Sequence, residues 1–413
     1  MDKNKKFTFI DLFSGCGGFS EGLLQTKKFE PLAHVEWEVP MIETLRNRLI
    51  KNWHHTDEEA TKKVIHFDIQ KTRELIYGNW SKETFDRYGK KNHPLVIKSG
   101  LKGVIGNKKV DIIIGGPPCQ AYSIAGRAQD KHSMKNDYRN FLFESFVEVV
   151  KELSPKIFVF ENVPGLLSAC PGGQFVTERI YTAFNRIGYE IRNPNSLKKS
   201  IYIASELEVP QKRKRLIIFG VKKNSNINLD ELYEELNNLK LSKNQLTVRS
   251  AIGELPPLVP LEKCIKEKSK KISHKSHVSN NFKYHVPRYH NSRDIKIFKE
   301  WIIAKMNKKN SSEKILFYNK KMKKKSKHAK YRNLEWDKPS PTIVAHLSKD
   351  GLMFIHPDPK QARSITIFEA SLLQSFPKDF EFIGTNAYCY KMIGNAVPPM
   401  MAKKIGLSIL KAL

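Results

Sequence analysis

Along the chain, apolar residues gather into short β-branched or aromatic runs, separated by polar turns and by stretches with helical spacing. Phe7 to Phe13 reads as a first strand. It runs into Ser14-Gly15-Cys16-Gly17-Gly18 and then a helical stretch from Phe19 to Leu24. Further strands are predicted over Pro31–Val35, at His66–Ile69, and over Val110–Ile114, Lys156–Phe160 and Leu216–Phe219. Asn140 to Leu153 has the spacing of an amphipathic helix. Strand, glycine turn and helix in succession open a doubly wound α/β unit, with a ligand expected where the strands end. Residues 70–109 are polar and lysine-rich, and read as an insertion with local structure rather than as another core repeat. From about residue 221 to about 340 the periodicity weakens and asparagine, lysine and serine dominate. Apolar order returns at Lys338–Val344. A helix is predicted from Ser364 to Phe376, a rigid turn at Gly394–Pro399, and a last amphipathic helix from Met400 to Leu413.

At 413 residues the chain is long enough for two domains. Its 72 basic against 42 acidic residues give a formal charge of +30, which makes a polyanion the natural partner. Nucleic acid is favoured over a membrane surface because no strongly amphipathic, aromatic-faced basic helix stands out. Between Lys305 and Arg332 lie twelve Lys/Arg and a single acid, Glu313. With His285, Arg288, Tyr289, His290, Asn291 and Arg293 just before it, this block points to a nucleic-acid surface. The cysteines (Cys16, Cys119, Cys170, Cys264, Cys389) are scattered and none has zinc-ligand spacing. Neither a disulfide framework nor a metal site is expected, and a reducing cytoplasm fits. No segment approaches the roughly 20 apolar residues that span a membrane, and Met1–Lys6 opens no signal-like run.

The candidate chemistry sits at the predicted strand ends. Glu36 follows the glycine turn by roughly twenty residues, the place where an acid accepts hydrogen bonds from ribose hydroxyls. The adjacent Trp37 offers a stacking face, and Asp68 closes the third strand. The glycine loop is not a full G-x-G-x-x-G and no Walker lysine follows it, which disfavours a dinucleotide or nucleoside triphosphate. After the fourth strand, Gly115-Gly116-Pro117-Pro118-Cys119-Gln120 sets one thiol on a rigid turn. The next segment, Ala121 to Arg139, has the length, glycine and charge of a lid. Glu161 ends the fifth strand beside Val163 and Pro164, where apolar neighbours would raise its pKa for proton donation. Alternation along Gln211–Arg215 puts Gln211, Arg213 and Arg215 on one face, and inward arginines need carboxylates, phosphates or a polar base. A lone thiol with a carboxylate and arginines, and without a partner histidine, suits covalent chemistry on an unstacked nucleobase better than a protease triad.

Taken in order, Asp11–Gly18, Glu36-Trp37, Asp68, the Gly115–Gln120 turn, Glu161-Asn162-Val163, Gln211-x-Arg213-x-Arg215 and Gly394–Pro399 resemble the DNA (cytosine-5)-methyltransferases of bacterial restriction–modification systems. The resemblance implies a doubly wound, Rossmann-like α/β methyltransferase domain made of residues 1–235 and 386–413. A smaller, mostly irregular or β target-recognition domain, with a hinge, would occupy 236–385. The implied cofactor is S-adenosylmethionine, held by Phe13, Gly15, Cys16, Gly17, Gly18, Glu36, Trp37, Asp68, Ile69, Pro117, Leu142, Asn395 and Val397. Cys119 would be the nucleophile towards carbon 6 of a flipped cytosine. Glu161 would engage the ring nitrogen and amino group, Arg215 the carbonyl oxygen, and Arg213 would order the same face. Ser123, Arg127, Arg139, Arg288 and Arg293 would contact the DNA. The implied setting is a cytoplasmic monomer acting on double-stranded DNA, alongside a separate cognate restriction endonuclease and no membrane. One motif departs from the family: where it carries Arg-Glu-Ala-Ala-Arg-Leu-Gln, Phe368 and Leu372 stand in place of the arginines. Two alternatives stay open, a tRNA cytosine-5 methyltransferase and a non-catalytic DNA-binding protein with the same fold.

Overall fold

The computed structural model describes residues 5–118, 142–242, 245–267, 270–279 and 282–413. Parallel strands β1 (Phe7–Leu12), β2 (Phe29–Glu36), β3 (Val64–His66), β4 (Ile112–Gly115) and β5 (Ile157–Asn162) form the heart of one sheet. Beyond β5, short β6 (Tyr189–Ile191) and β7 (Ile201–Ile203) both pair antiparallel with a long β9 (Lys214–Lys222). A two-residue strand β8 (Gln211–Lys212) precedes β9 and pairs outside this sheet. The order is β3-β2-β1-β4-β5-β9-β6, eight strands with β7 on β9. Strand alternation builds two cores. Ile112, Ile114, Ile157, Val159, Ile217 and Phe219 face one side, and Ile113, Phe158, Phe160, Leu216 and Ile218 face the other. The chain steps outward from β1 to β3 and then returns to lay β4 on the other flank of β1. That reversal opens a crevice at the carboxyl ends of β1 and β4.

Helices cover both faces. On one lie α1 (Gly18–Leu24), α2 (Val39–Trp53) and α3 (Asp57–Lys63). The other carries α4 (Thr72–Tyr77), α5 (Lys82–Tyr88), α6 (Pro94–Ile105), α7 (Leu142–Leu153) and α8 (Val176–Arg186). The stretch 70–109 is therefore not an insertion beside the core. It is the crossover from β3 to β4, and Leu75, Ile76, Tyr88, Val96, Leu101 and Ile105 bury themselves in the sheet's core. Its lysines sit on the outward side, so three short helices read as one polar stretch.

After α9 (Leu229–Asn238) the chain leaves the sheet for α10 (Val248–Ile252) and a hairpin of β10 (Val259–Glu267) and β11 (Lys270–Lys275). Next come α11 (Ser292–Ile303) and α12 (Ser311–Met322). These two helices enclose their own aromatic cluster, in which Trp301 meets Phe317 at 5.3 Å and Tyr331 at 5.6 Å between ring centres. The rest of the described residues in the 236–385 stretch are largely irregular, with these helices set among them. Strand β12 (Ser340–Pro341) lies parallel to β8, and α13 (Ile367–Leu373) and α14 (Asn386–Asn395) lead to α15 (Pro399–Ala412). Helix α15 packs so closely on α1 that a Cβ at Gly22 would lie 2.3 Å from the Pro399 carbonyl. No helix among the described residues is long and apolar enough to cross a membrane.

Candidate active site at the strand ends

The crevice at the β1–β4 reversal holds a cavity of about 400 Å³. Residues from distant parts of the chain line it: Phe13–Cys16 after β1, Glu36–Glu38 after β2, Asp68 and Ile69 after β3, and Gly116–Pro118 after β4. Leu142, Glu161, Arg213 and Arg215 complete its inner wall, and Lys391, Met392 and Gly394–Val397 close it from the carboxyl-terminal side.

The loop after β1 curls tightly. Phe13, Gly15 and Gly17 all take positive φ, at 58°, 55° and 87°. Gly18 then starts α1 directly beneath the last turn of the chain, where a Cβ would lie 2.4 Å from the Val397 carbonyl. Facing this loop, the Glu36 carboxylate receives the amides of Gly15, Trp37 and Glu38 at 2.8–2.9 Å. Burial raises the Glu36 pKa and these three donors work against that rise. The Trp37 carbonyl lies 3.1 Å from His66 Nε2, which pins the turn from β3, while its indole is 49 % exposed at the cleft. Asp68 accepts the Gln70 amide at 3.1 Å. Below the loop, buried Asp11 receives the Ser20 hydroxyl at 2.5 Å, and Ser20 Oγ lies 3.1 Å from His34 Nδ1. Burial pushes the Asp11 pKa up to about 7. Cys16 is buried among apolar groups and its thiol is pushed up by the same desolvation, so it lines the cleft as an inert wall.

On the opposite side, Glu161 Oε1 meets Arg215 Nε at 2.6 Å, and both side chains are close to nine-tenths buried. The carboxylate thus faces a guanidinium, not the apolar surroundings expected from Val163 and Pro164. Gly116 leaves room for it: a Cβ there would lie 2.8 Å from Glu161 Oε2. Asn162 donates to the Pro117 carbonyl at 3.4 Å and accepts the Val163 amide at 2.9 Å, tying the proline turn to the end of β5. Pro118 lines the cleft. Cys119, Ser123, Arg127, Arg139 and the lid predicted over Ala121–Arg139 lie outside the described residues.

Three further arginines singled out in the sequence have partners within the chain. Arg213 is on the inward face, yet its terminal nitrogens donate to the Ile343 carbonyl at 2.9 Å and the Gly394 carbonyl at 3.1 Å. It braces the wall of the cleft that it lines. Arg288 donates to the Leu347 and Ser348 carbonyls and stacks over the Tyr390 ring at 4.5 Å. Arg293 is exposed and pairs with its neighbour Asp294 at 3.1 Å. Of the two, Arg293 is the exposed one and Arg288 is half-buried. Residues that sequence reasoning passed over include Lys391 and Glu38, which pair at 2.7 Å across the cleft mouth. No motif marks them, since one is an ordinary helix lysine and the other a helix N-cap.

Residues 7–411 match the family model described as C-5 cytosine-specific DNA methylase. The chain belongs to that family. It is a DNA cytosine-5 methyltransferase, and its curated relatives are type II methyltransferases. M.Bpa9945I of Bacillus paralicheniformis is 33 % identical over 448 residues, covering 97 % of this chain and 98 % of that protein. M1.HphI of Haemophilus parahaemolyticus is 29 % identical over 405 residues, covering 98 % and 87 %. Among solved structures, a protein described as a prophage DNA modification methyltransferase (E. coli) superposes with a TM-score of 0.64 at 22 % identity, over 98 % and 99 % of the two chains. The S. pombe Dnmt2 methyltransferase does so at 0.54 and 13 %, over 99 % and 98 %. At these identities the structural likeness speaks for the fold.

Proposed function

We propose that the protein moves a methyl group from S-adenosylmethionine to carbon 5 of a cytosine flipped out of duplex DNA, through a covalent adduct of Cys119, and so protects host DNA from a separately acting cognate restriction endonuclease. The observation that carries this reading is that one cleft joins the Glu36–Trp37 turn to the Glu161–Arg215 pair, at the foot of the proline turn leading into Cys119. The cofactor half fits the group. The cavity has the size of a small-molecule site, roughly 300–1,000 Å³. It offers a buried carboxylate for ribose hydroxyls in Glu36, a half-exposed indole for adenine in Trp37, and Asp68 within reach of the same ring. The bound cofactor supplies an electrophilic methyl group.

The protein's own groups do the rest. The Cys119 sulfur adds to carbon 6 while Glu161 delivers a proton to ring nitrogen 3 and accepts a hydrogen bond from the amino group, which neutralises the charge that the addition sends into the ring. Arg215, already paired with Glu161, takes the carbonyl oxygen. Carbon 5 then carries enamine character and attacks the methyl group, whose bond to the donor sulfur breaks as the new bond forms; solvent takes the carbon 5 proton as the Cys119 sulfur is expelled, and the proton on ring nitrogen 3 returns to Glu161, which restores the base. Residues 1–235 with 386–413 would form the catalytic domain, and 236–385 the target-recognition domain and hinge. The exposed Lys320, Lys323, Lys324, Lys325 and Lys327 suit a phosphate-facing surface on that second part. We read the protein as a cytoplasmic monomer.

Duplex DNA carrying 5-fluorocytosine, incubated with the protein and S-adenosylmethionine, is expected to trap a covalent complex that Cys119→Ser abolishes. Absence of any adduct across genomic sequence would overturn the mechanism. Preferential methyl transfer to tRNA over genomic DNA would overturn the substrate. Bisulfite sequencing of DNA from expressing cells then reads the target sequence.

A further inference from the structure

We infer that Lys391 is a positioning residue for the cofactor: by pairing with Glu38 at the cleft mouth, it offsets the charge that Glu38 would otherwise set beside Glu36, the ribose acceptor. The inference rests on the S-adenosylmethionine reading of this cleft. Lys391 Nζ lies 2.8 and 2.7 Å from the two oxygens of Glu38, and both residues line the cavity. The pair joins the β2–α2 turn to α14, segments far apart in the chain.

The turn places Glu36 and Glu38 two residues apart, with the Glu38 amide donating to Glu36 Oε1 at 2.9 Å. Glu36 also faces Asp11 and Cys16 from β1 and its loop, while His66 from β3 meets the Trp37 carbonyl. The charge on Glu38 is one of the forces raising the Glu36 pKa, after burial. Lys391 is the cation set directly against Glu38, so removing it leaves Glu36 beside an uncompensated like charge. Glu36 would then bind a proton at higher pH and lose its capacity to accept two hydroxyl hydrogen bonds.

The consequence is local, because α14 has other fastenings. The segment just before it is held to α2 by Arg48 on Asp379 at 2.9 Å, Lys51 on Glu381 at 3.1 Å, and Thr44 on the Ile383 amide at 2.9 Å. Substituting Lys391 therefore leaves the wall in place while changing the charge at the mouth.

The test is S-adenosylmethionine binding to the full-length protein by calorimetry from pH 5 to 8.5, for wild type, Lys391→Met, Lys391→Arg and the double variant Glu38→Gln/Lys391→Met. Lys391→Met is expected to bind about three- to tenfold more weakly near neutral pH, with the acid limb of its affinity profile moved to higher pH. Lys391→Arg and the double variant are expected to return the limb to its wild-type position. A Lys391→Met profile that overlays wild type would overturn the inference, as would a double variant no better than the single, which would mark the pair as a mere strut. Failure of the wild-type protein itself to bind S-adenosylmethionine would instead overturn the reading of the cleft.

Discussion

Glu161 and Arg215 form a pair in which charge and shape are separable by a single atom. Glu161→Gln keeps the volume but gives up the 2.6 Å ion pair and the acceptor proposed to hold the flipped base. Methyl transfer is expected to fall by about 10²–10⁴-fold, the usual range for a group acting on a proton or charge in the transition state. S-adenosylmethionine affinity, read by calorimetry, should be unchanged; a parallel loss of cofactor binding would mean that the two halves of the cleft are not separable. Gly116→Ala probes the same carboxylate from behind. Its Cβ would arrive 2.8 Å from Glu161 Oε2, so a large drop in turnover is expected with little change in melting temperature. Glu36, Asp68 and Glu161 were legible in the sequence because each acid directly follows an apolar run and precedes a turn, which fixes both its height on the sheet and its exposure. Arg213 was legible as inward-facing but not as a brace. Its partners are carbonyls of Ile343 and Gly394, and a backbone acceptor leaves no trace in residue identity. Lys391 and Glu38 were illegible for a related reason: only the folded chain brings them within reach.

Helix α13 is where the family's two arginines are missing, and its surroundings explain how the element does without them. Phe368 stacks on Phe282 at 4.7 Å with rings 21° apart, and Leu372 is buried in the same cluster. The cation that Glu369 needs comes from outside the helix. Arg363 reaches it with two nitrogens at 2.7 and 2.6 Å, both residues essentially unexposed, and Thr366 and Glu369 close a capping box over the first turn. Despite the cost of burial, Arg363 leads the forces that hold the Glu369 carboxyl well below the usual carboxylate range. Arg363→Met would strand that charge, at an expected cost of about 3–5 kcal/mol in unfolding free energy. Urea denaturation checks it, and Arg363→Met/Glu369→Met should recover most of the loss; no recovery would mean that packing rather than charge sets the cost. At this scale the strands were readable and the crossover was not. Ile112–Ile114 and Leu216–Phe219 are continuous apolar runs, as strands buried on both faces must be. Helices α4 and α5 are only six and seven residues long and α6 is broken at Gly100, where φ is 56°, so no period is sustained, and their apolar residues find partners only on the finished sheet.

Across the whole molecule, buried titratable groups set opposing pH dependences, and their placement decides which half yields first. His34, His290 and His356 have pKa values pushed down by burial to about 3, and His274 to about 4. A histidine depressed in the folded state supports folding fully above its unfolded pKa of about 6.5, and that support is lost as pH falls below it. At pH 5 each of these residues costs about 2 kcal/mol. Asp11 has the reverse sign. Raised to about 7, it penalises folding when it ionises, so acidification from pH 7.5 to 5 returns about 2 kcal/mol. In the sheet, Asp11 lies within one Ser20 hydroxyl of His34, and the two effects nearly cancel there. His274, His290 and His356 have no such counterweight. They cluster around Arg363, whose charge further lowers all three. Between pH 7.5 and 5, protection factors against hydrogen exchange should therefore fall first in β11, α11 and the segment around His356, while β1 and β4 keep their protection. Asp11→Asn should remove the counterweight, raising stability at pH 7.5 and steepening its loss in acid. Simultaneous loss of protection in both halves of the wild-type protein would show that the sheet depends on the histidine cluster, and that the two cores do not open independently.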